Sequence, residues 1–469
     1  MSNIISKETW AVDAPVIEDV DVLVCGGGPA GIAAAVSAAR QGASVLLIEK
    51  QGCLGGVATN CLVGVWLGSY SRDGQFPVIG GIFSEIVERL VAEKAAIPAR
   101  EDRVGGTRHV GYASWHGRTV PFEFEPCKRI LEEFASDAGV KLRYFTTAVS
   151  PQVQDGQIRG VFIHSKNGIE FIRTKTVVDA TGDADMAFLC GCPIEQGREE
   201  DGLTSPTGII FVMEGVTSEV FEKYCRKTGD VRFKKIIGEL QAKGQWPFAF
   251  EGLVCCEMPR RGRFFINALQ QLNVNGTRAE DLTRGIIEGR QQVRTLAEIM
   301  KKHIPGFARS DLVQTSPVLG VRDTRRIIGE YRISVEDVIE GRHYPDTIGL
   351  SGYQFDMADP KKPSYQRMDE TKPRSLYTEI PYRSLLPKGI DNLIVAGRCV
   401  SSAWDALGVL RIMPACFAMG QTAGTAAGLA VKTKTALRNL DVTALQHTLL
   451  KNGAILDPTR QAEERHDAR

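Results

Sequence analysis

An α/β fold, in which a parallel sheet is assembled from segments far apart in the chain, is predicted by three observations. Asp21–Cys25 is a short apolar run containing β-branched residues, and Gly26-Gly-Gly28-Pro-Ala-Gly31 follows it at once, ahead of a small-residue helix reaching Arg40. Ser44–Ile48 supplies a second apolar run that stops at an acid, Glu49. A third run, Asn392–Ala396, precedes another small-residue helix at Ala415–Val431. Short apolar runs bounded by glycine and acidic residues read as strands buried on both faces of a parallel sheet.

The first unit carries chemistry in its spacing. A G-x-G-x-x-G pattern is weak alone, but between a strand and a helix, with an acid about 20 residues further on, it marks a dinucleotide site. Gly26 permits the tight turn, Gly28 lets backbone approach a pyrophosphate, and Gly31 lets the helix pack on the strand. Pro29 and Ala30 open the helix, whose free N–H groups and partial positive charge attract phosphate. Glu49 is expected to accept hydrogen bonds from ribose hydroxyls.

Further elements follow by the same rules. Glu125–Ala135 reads as a helix with Ile130, Leu131 and Phe134 on its apolar face, Gly139 ends it, and Val140–Phe145 is a strand. Ile158–His164 and Glu170–Arg173 flank a Lys-Asn-Gly turn. Lys175–Asp183, closing on Ala180-Thr181-Gly182, resembles the strand that ends in Ala-Thr-Gly beside the cofactor in flavoproteins. Near the C-terminus Pro414 suits a first helical turn. Gly420, Gly424 and Gly428 recur every fourth position, as expected for close packing against the sheet.

Composition excludes several classes. The 469 residues hold 57 Lys and Arg against 56 Asp and Glu, so there is no electrostatic footprint for nucleic acid or an anionic membrane. The N-terminus has no signal-peptide pattern, and no apolar run approaches the roughly 20 residues a membrane span needs. The expectation is a cytoplasmic protein. The 11 cysteines include no C-x-x-C pair, so no metal site is expected, and reduced, mostly buried thiols are.

Other segments make the pattern more specific. Glu49-Lys50-Gln-Gly-Cys53-Leu-Gly55-Gly56-Val57-Ala-Thr59 resembles the extended flavin fingerprint of the glutathione-reductase-like fold, whose Gly-Gly pair lets backbone run beside the cofactor. With Arg322–Gly329, Ile380–Lys388, Gly397-Arg398-Cys399 and Arg411-Ile412-Met413-Pro414, the chain resembles the FAD-dependent oxidoreductase family, distantly related to fumarate-reductase flavoproteins, over about residues 18 to 455. That resemblance implies a Rossmann-like FAD-binding domain built from segments 18–75, 121–200 and 386–435. It also implies a loop or cap at 76–120, an inserted α+β substrate domain at 201–385, and a C-terminal helix and tail at 436–469. It places Ala148-Val149 at the adenine, and Ala180, Thr181, Gly182, Gly397 and Arg398 beside the cofactor. Ile412 and Met413 fall at the flavin pyrimidine edge, where a helix N-terminus would stabilise the reduced ring. Cys53 would pass the flavin, with FAD held non-covalently.

Two segments depart from the family pattern. Phe355-Asp356-Met357-Ala358 and Ser401–Asp405 lack histidines that members commonly carry there. Acid–base work would then fall to other residues. The candidates are His109, Arg322, Trp404 and Arg411, the first from a stretch (62–120) that reads as loop-like and also holds Trp66, Tyr70, Arg72, Tyr112, Trp115, His116 and Arg118. Arg322 and Arg326 would share a face if their segment is helical, and Arg411 has Asp405 as a nearby partner in sequence.

The leading expectation is two-electron, hydride-type transfer between a small molecule and FAD, oxidation of an alcohol, amine or saturated carbon first and reduction of an activated double bond second. No second glycine-rich unit for NAD(P)H is visible, which leaves oxygen, a quinone, a protein or a nicotinamide as electron acceptor. A homo-oligomer is compatible with the sequence. The rivals are an NAD-dependent dehydrogenase, disfavoured by Gly55-Gly56 and the C-terminal block, and a non-catalytic FAD-binding electron-transfer subunit, disfavoured by the long insertion.

Overall fold

The computed structural model describes residues 11, 13–99, 111–112, 118–361 and 373–458. Among these residues the main sheet has seven strands. Five run parallel, in the spatial order Lys141–Arg143, Val45–Ile48, Val16–Cys25, Gly168–Asp179 and Leu393–Val395. Thr147–Gln154 and Gln157–Ser165 form an antiparallel hairpin that continues into Gly168–Asp179. That strand therefore serves two partners along one edge: residues 168–173 pair with the hairpin and residues 177–179 with Leu393–Val395. The sequence pattern divides it at Thr174. It is continuous, because the β-branched Thr174 and Thr176 favour extended backbone.

The parallel strands end together. Gly26–Gly28 after Cys25, Glu49 after Ile48, Ala180 after Asp179 and Ala396 after Val395 all leave from the carboxyl edge of the sheet. Open α/β sheets bind ligands at that edge.

Helix Pro29–Arg40 lies against helix Met413–Thr433. A Cβ on Gly420 would overlap the Ala30 carbonyl, one on Gly424 the Ala34 carbonyl, and one on Gly428 would fall 2.6 Å from Gln41 Cβ. The glycine repeat does serve close packing, but against the opposing helix rather than the sheet. Gly424→Val is expected to destabilise the protein by about 1–3 kcal/mol or more, because a well-packed interface must separate to admit it. A thermal melt unchanged from wild type would show that these helices are not in contact.

A second core surrounds a four-stranded antiparallel sheet in the order Cys255–Glu257, Arg263–Ile266, Phe211–Glu214, Asp311–Thr315. Helix Ala279–His303 buries Val293, Leu296, Ala297 and Met300 there, and Phe221 packs with Phe233, Phe264 and Phe307. Ile333, Val338, Ile380 and Leu385 instead contribute to the core of the main sheet, as do Ile348 and Leu350 of the strand Thr347–Ser351.

Two segments differ from expectation. Ile82–Ala92, inside the stretch expected to be loop-like, is a helix that buries Ile82, Phe83, Ile86 and Leu90. The glycines at 105, 106 and 111 suggest a loop, and they lie beyond this amphipathic segment. The Arg322–Arg326 segment is not helical: Arg325–Ile327 is a strand paired with Ile194–Gln196. Arg326 is fully buried and donates to the carbonyls of Ser402 and Gly197, away from Arg322.

Candidate functional site

A continuous cavity of about 900 Å³ opens along the carboxyl edge of the parallel sheet and runs under the antiparallel lobe. This lies at the upper end of the usual range for small-molecule and cofactor sites, about 300–1,000 Å³. Its wall at the sheet is made by Gly26, Gly28, Pro29, Ala30, Glu49, Lys50, Gly56, Val57, Ala180, Thr181, Gly182, Gly397, Arg398, Ile412 and Met413. Segments from both ends of the chain thus meet in one place.

The glycines divide into structural and cavity-facing positions. Gly26 has φ +102°, and a Cβ there would sit 2.6 Å from the Ala180 carbonyl oxygen. Gly31, off the cavity wall, would collide with the Gly26 carbonyl if it carried a side chain. Gly28 differs. Its φ is −72°, and a Cβ would meet nothing among the described residues nearer than Gly56 Cα at 4.0 Å. Packing therefore does not demand glycine at 28; the space it leaves open belongs to the cavity, beside the N-terminus of helix Pro29–Arg40. The open space over Gly28 and Gly56, a cradle at a helix N-terminus, has the shape and charge that an extended dinucleotide's pyrophosphate needs.

Glu49 fixes the neighbouring loop. Its carboxylate accepts from Gly27 N–H at 2.6 Å and from Gln51 N–H at 2.8 Å, and the side chain is buried. Each oxygen keeps a further lone pair for a ribose hydroxyl. Thr146, Thr147 and Ala148 line the far end of the cavity, whereas Val149 does not. The ladder with Gln157–Ser165 slips between Ala148 and Ser150, and Val149 at that irregularity is 42% exposed.

On the other side of Gly182 lies an ionic cluster. Asp183 accepts from Arg398 at 2.7 Å and from the Thr324 hydroxyl at 2.7 Å, and Arg398 also donates to Thr324 at 3.0 Å. Burial opposes ionisation of Asp183, but Arg398 and Thr324 outweigh it and hold the carboxyl below its ordinary range. Asp185, paired with Arg325, is pushed up to about 6, by burial first and then by Asp183 and Asp179. Both carboxylates line the cavity.

Beyond the cradle the cavity becomes a chamber with apolar walls, including Val63, Val65, Leu67, Ile210, Val254 and Phe265. Arg322 and Arg411 face it, and Arg232 and Arg290 also line the cavity. Arg322 donates to the Pro206 carbonyl and is brought down to about 10, by burial first and then by Arg411. Arg411 pairs with Asp356 at 3.0 Å rather than with Asp405, and its Nε is buried with no hydrogen-bond partner among the described residues. Tyr112, Tyr353 and Asp356 add polar groups to the same wall.

Several expected site residues lie elsewhere. Trp404 is fully buried, donates from Nε1 to Asp323 at 2.8 Å and does not reach the cavity. Cys53 and Gly55 are off the wall; the Cys53 thiol donates to Asn60 at 3.2 Å and burial raises its pKa. Trp66 stacks on Phe122 in the core. His109, Trp115 and His116 lie outside the described residues. Among the described residues no group of three or more His, Cys, Asp or Glu is arranged to hold a metal ion, and no helix is long and apolar enough to cross a membrane.

Comparison with known proteins agrees with this geometry. The family model of FAD dependent oxidoreductases matches residues 21–449. The chain is 28% identical over 179 residues to a digeranylgeranylglycerophospholipid reductase of Methanosphaerula palustris, a match covering 37% of this chain and 41% of the relative. It is 31% identical over 194 residues to a vinyl phenol reductase of Lactiplantibacillus plantarum, covering 35% of this chain and 38% of the relative. The chain thus spans about two fifths of the length of these curated relatives. Among solved structures, it resembles a p-nitrophenol 4-monooxygenase from Pseudomonas putida with a TM-score of 0.48 and 12% identity, covering 95% of this chain and 92% of the other. The family match spans both halves of the sheet and every segment of the cradle, and on it the chain belongs to the FAD-dependent oxidoreductases, as an enzyme that uses FAD.

Proposed function

We propose that the protein reduces an activated carbon–carbon double bond in a small, largely apolar molecule that carries a carboxylate or carbonyl group. The observation that carries this reading is the placement of Arg322 and Arg411 on an apolar chamber continuous with the dinucleotide cradle. A hydride arriving at a conjugated double bond builds negative charge on the substrate's oxygen, which buried guanidiniums stabilise. A hydride leaving a saturated carbon builds positive charge, which the same groups oppose. The similarity to proteins named as reductases, one of them of a vinyl phenol, supports the same direction.

In this reading FAD, when bound, supplies the hydride. Gly28, Gly56 and the start of helix Pro29–Arg40 hold its pyrophosphate, Glu49 its ribose, and Thr146–Ala148 its adenine. The turn Ile412-Met413 meets the pyrimidine edge. The order of the five parallel strands, joined by an antiparallel hairpin, supports a fold of the glutathione-reductase type. The antiparallel lobe, from Phe211 to Thr315, covers the substrate as its outer wall. Val63, Val65 and Phe265 exclude water, and Arg322 and Arg411 orient the anionic or carbonyl end. Cys53 stands off the cavity wall, which supports non-covalent attachment.

An anaerobic experiment tests the direction. Photoreduced protein mixed with a panel of enoates, cinnamate among them, is expected to regain its oxidised flavin spectrum. Bleaching of the oxidised protein by alcohols or amines, with no reoxidation by any enoate, would reverse the assignment and make it a dehydrogenase.

A further inference from the structure

We propose that Tyr353 is the proton donor of this site, an inference that rests on the reductase reading. Hydride addition leaves a carbanion that must be protonated, and among the described residues no histidine lines the chamber to do it. Tyr353 lies on the cavity wall. It is only 5% exposed, yet among the described residues its hydroxyl has no hydrogen-bond partner. A buried phenol ordinarily finds a partner. One that opens on a ligand chamber instead is arranged to bond what enters the chamber.

The surroundings hold the ring and keep its proton in place. Arg72 pins the backbone: Nε donates to the Tyr353 carbonyl at 2.9 Å, while its other nitrogens bind the Ser375 carbonyl and the Thr378 hydroxyl. Gly68, at φ +76°, leaves room for the ring, since a Cβ there would stand 2.9 Å from Tyr353 Cβ. Burial, and then Asp356, raise the phenol above its ordinary range, and the pull of Arg411 and Arg232 only partly offsets this. The hydroxyl is therefore protonated at neutral pH. Asp356 is engaged with Arg411 as its counter-ion.

Hydride addition at the β-carbon breaks the C=C π bond and places that electron pair on the α-carbon and the conjugated oxygen, beside the guanidiniums. The Tyr353 O–H bond then breaks and its proton forms the new α-C–H bond. The phenolate takes a proton back from water before the next turnover. General acid catalysis of this kind contributes about 10²–10⁴-fold.

Tyr353→Phe keeps the ring and removes the hydroxyl. With FAD bound, the variant is expected to bind 3-phenylpropionate no more than about tenfold more weakly, the cost of one lost hydrogen bond, but to reoxidise with cinnamate about 100-fold more slowly, or worse. Wild-type protein carrying tyrosine labelled at Cζ should show one ring signal, absent in the variant, that remains phenolic through neutral pH and shifts when 3-phenylpropionate binds. Cinnamate turnover within about twofold of wild type in the variant, well short of the loss of a general acid, would overturn the role of Tyr353 and leave the reductase reading standing. A wild-type protein inactive on every enoate would sink the reductase reading itself. The labelled signal would then judge Tyr353 separately: a shift on ligand binding keeps it as the site's hydrogen-bond donor, and an unmoved signal removes it.

Discussion

Gly28→Val is expected to yield a folded, colourless protein that takes up no FAD. The basis is the contrast among the fingerprint glycines. At Gly28 the backbone is in a region open to any residue, and the space around a Cβ is empty to 4.0 Å. A valine there does not disturb the turn, but its methyl groups fill the place proposed for pyrophosphate and cover the N–H groups of the helix start. A pyrophosphate brought against a branched side chain loses both contact and hydrogen bonds, so the affinity should fall beyond measurement at micromolar FAD. Gly31→Ala provides the opposite case. Its methyl would overlap the Gly26 carbonyl, so this variant should fail in folding first, with a lowered melting temperature or no soluble protein. Circular dichroism, melting temperature and bound-flavin absorbance separate the two. A yellow Gly28→Val protein with wild-type FAD content would remove the pyrophosphate from this turn.

The fingerprint was legible because its residues act through local backbone geometry. Gly26, Gly28 and Gly31 sit in one strand–turn–helix, and Glu49 lies at the end of the adjacent strand, so spacing alone locates them. The chamber was less legible, because it is made by contacts between distant segments. Arg411 meets Asp356 rather than the sequence-near Asp405, a partner that spacing does not reveal. Tyr353 carries no motif. Its signal is a buried tyrosine on the chamber wall, which exists only once the chain is folded. Val149 stands off the cavity wall at a strand irregularity that leaves it exposed, while Ala148 lines the cavity. Trp404 follows a recognisable segment, yet it turns into the core to reach Asp323. A motif places a segment, whereas tertiary packing decides which side of it faces the ligand.

Arg411→Met should lower the flavin midpoint potential and slow the reductive half of the cycle, with FAD still bound. Reduction places negative charge on the pyrimidine side of the ring, which the proposed placement sets at the turn that Arg411 leads into, where both its guanidinium and the N-terminus of helix Met413–Thr433 would favour that charge. For a two-electron couple about 30 mV corresponds to about 1.4 kcal/mol, so a drop of a few tens of millivolts is the expected scale. Arg411 is also the partner of Asp356, and deleting one member of a largely buried pair leaves the other charge exposed to an apolar chamber. Part of the loss in Arg411→Met would then come from an orphaned carboxylate rather than from the missing cation. The double variant Arg411→Met/Asp356→Asn removes both charges and serves as the control. If Arg411 serves the flavin and the substrate anion, the double variant recovers stability but keeps a lowered potential, and the affinity for 3-phenylpropionate stays weak. If Arg411 merely neutralises Asp356, the double variant regains the wild-type potential and turnover. A midpoint potential and ligand affinity restored in this way would assign Arg411 to structure and leave Arg322 as the cation the substrate meets.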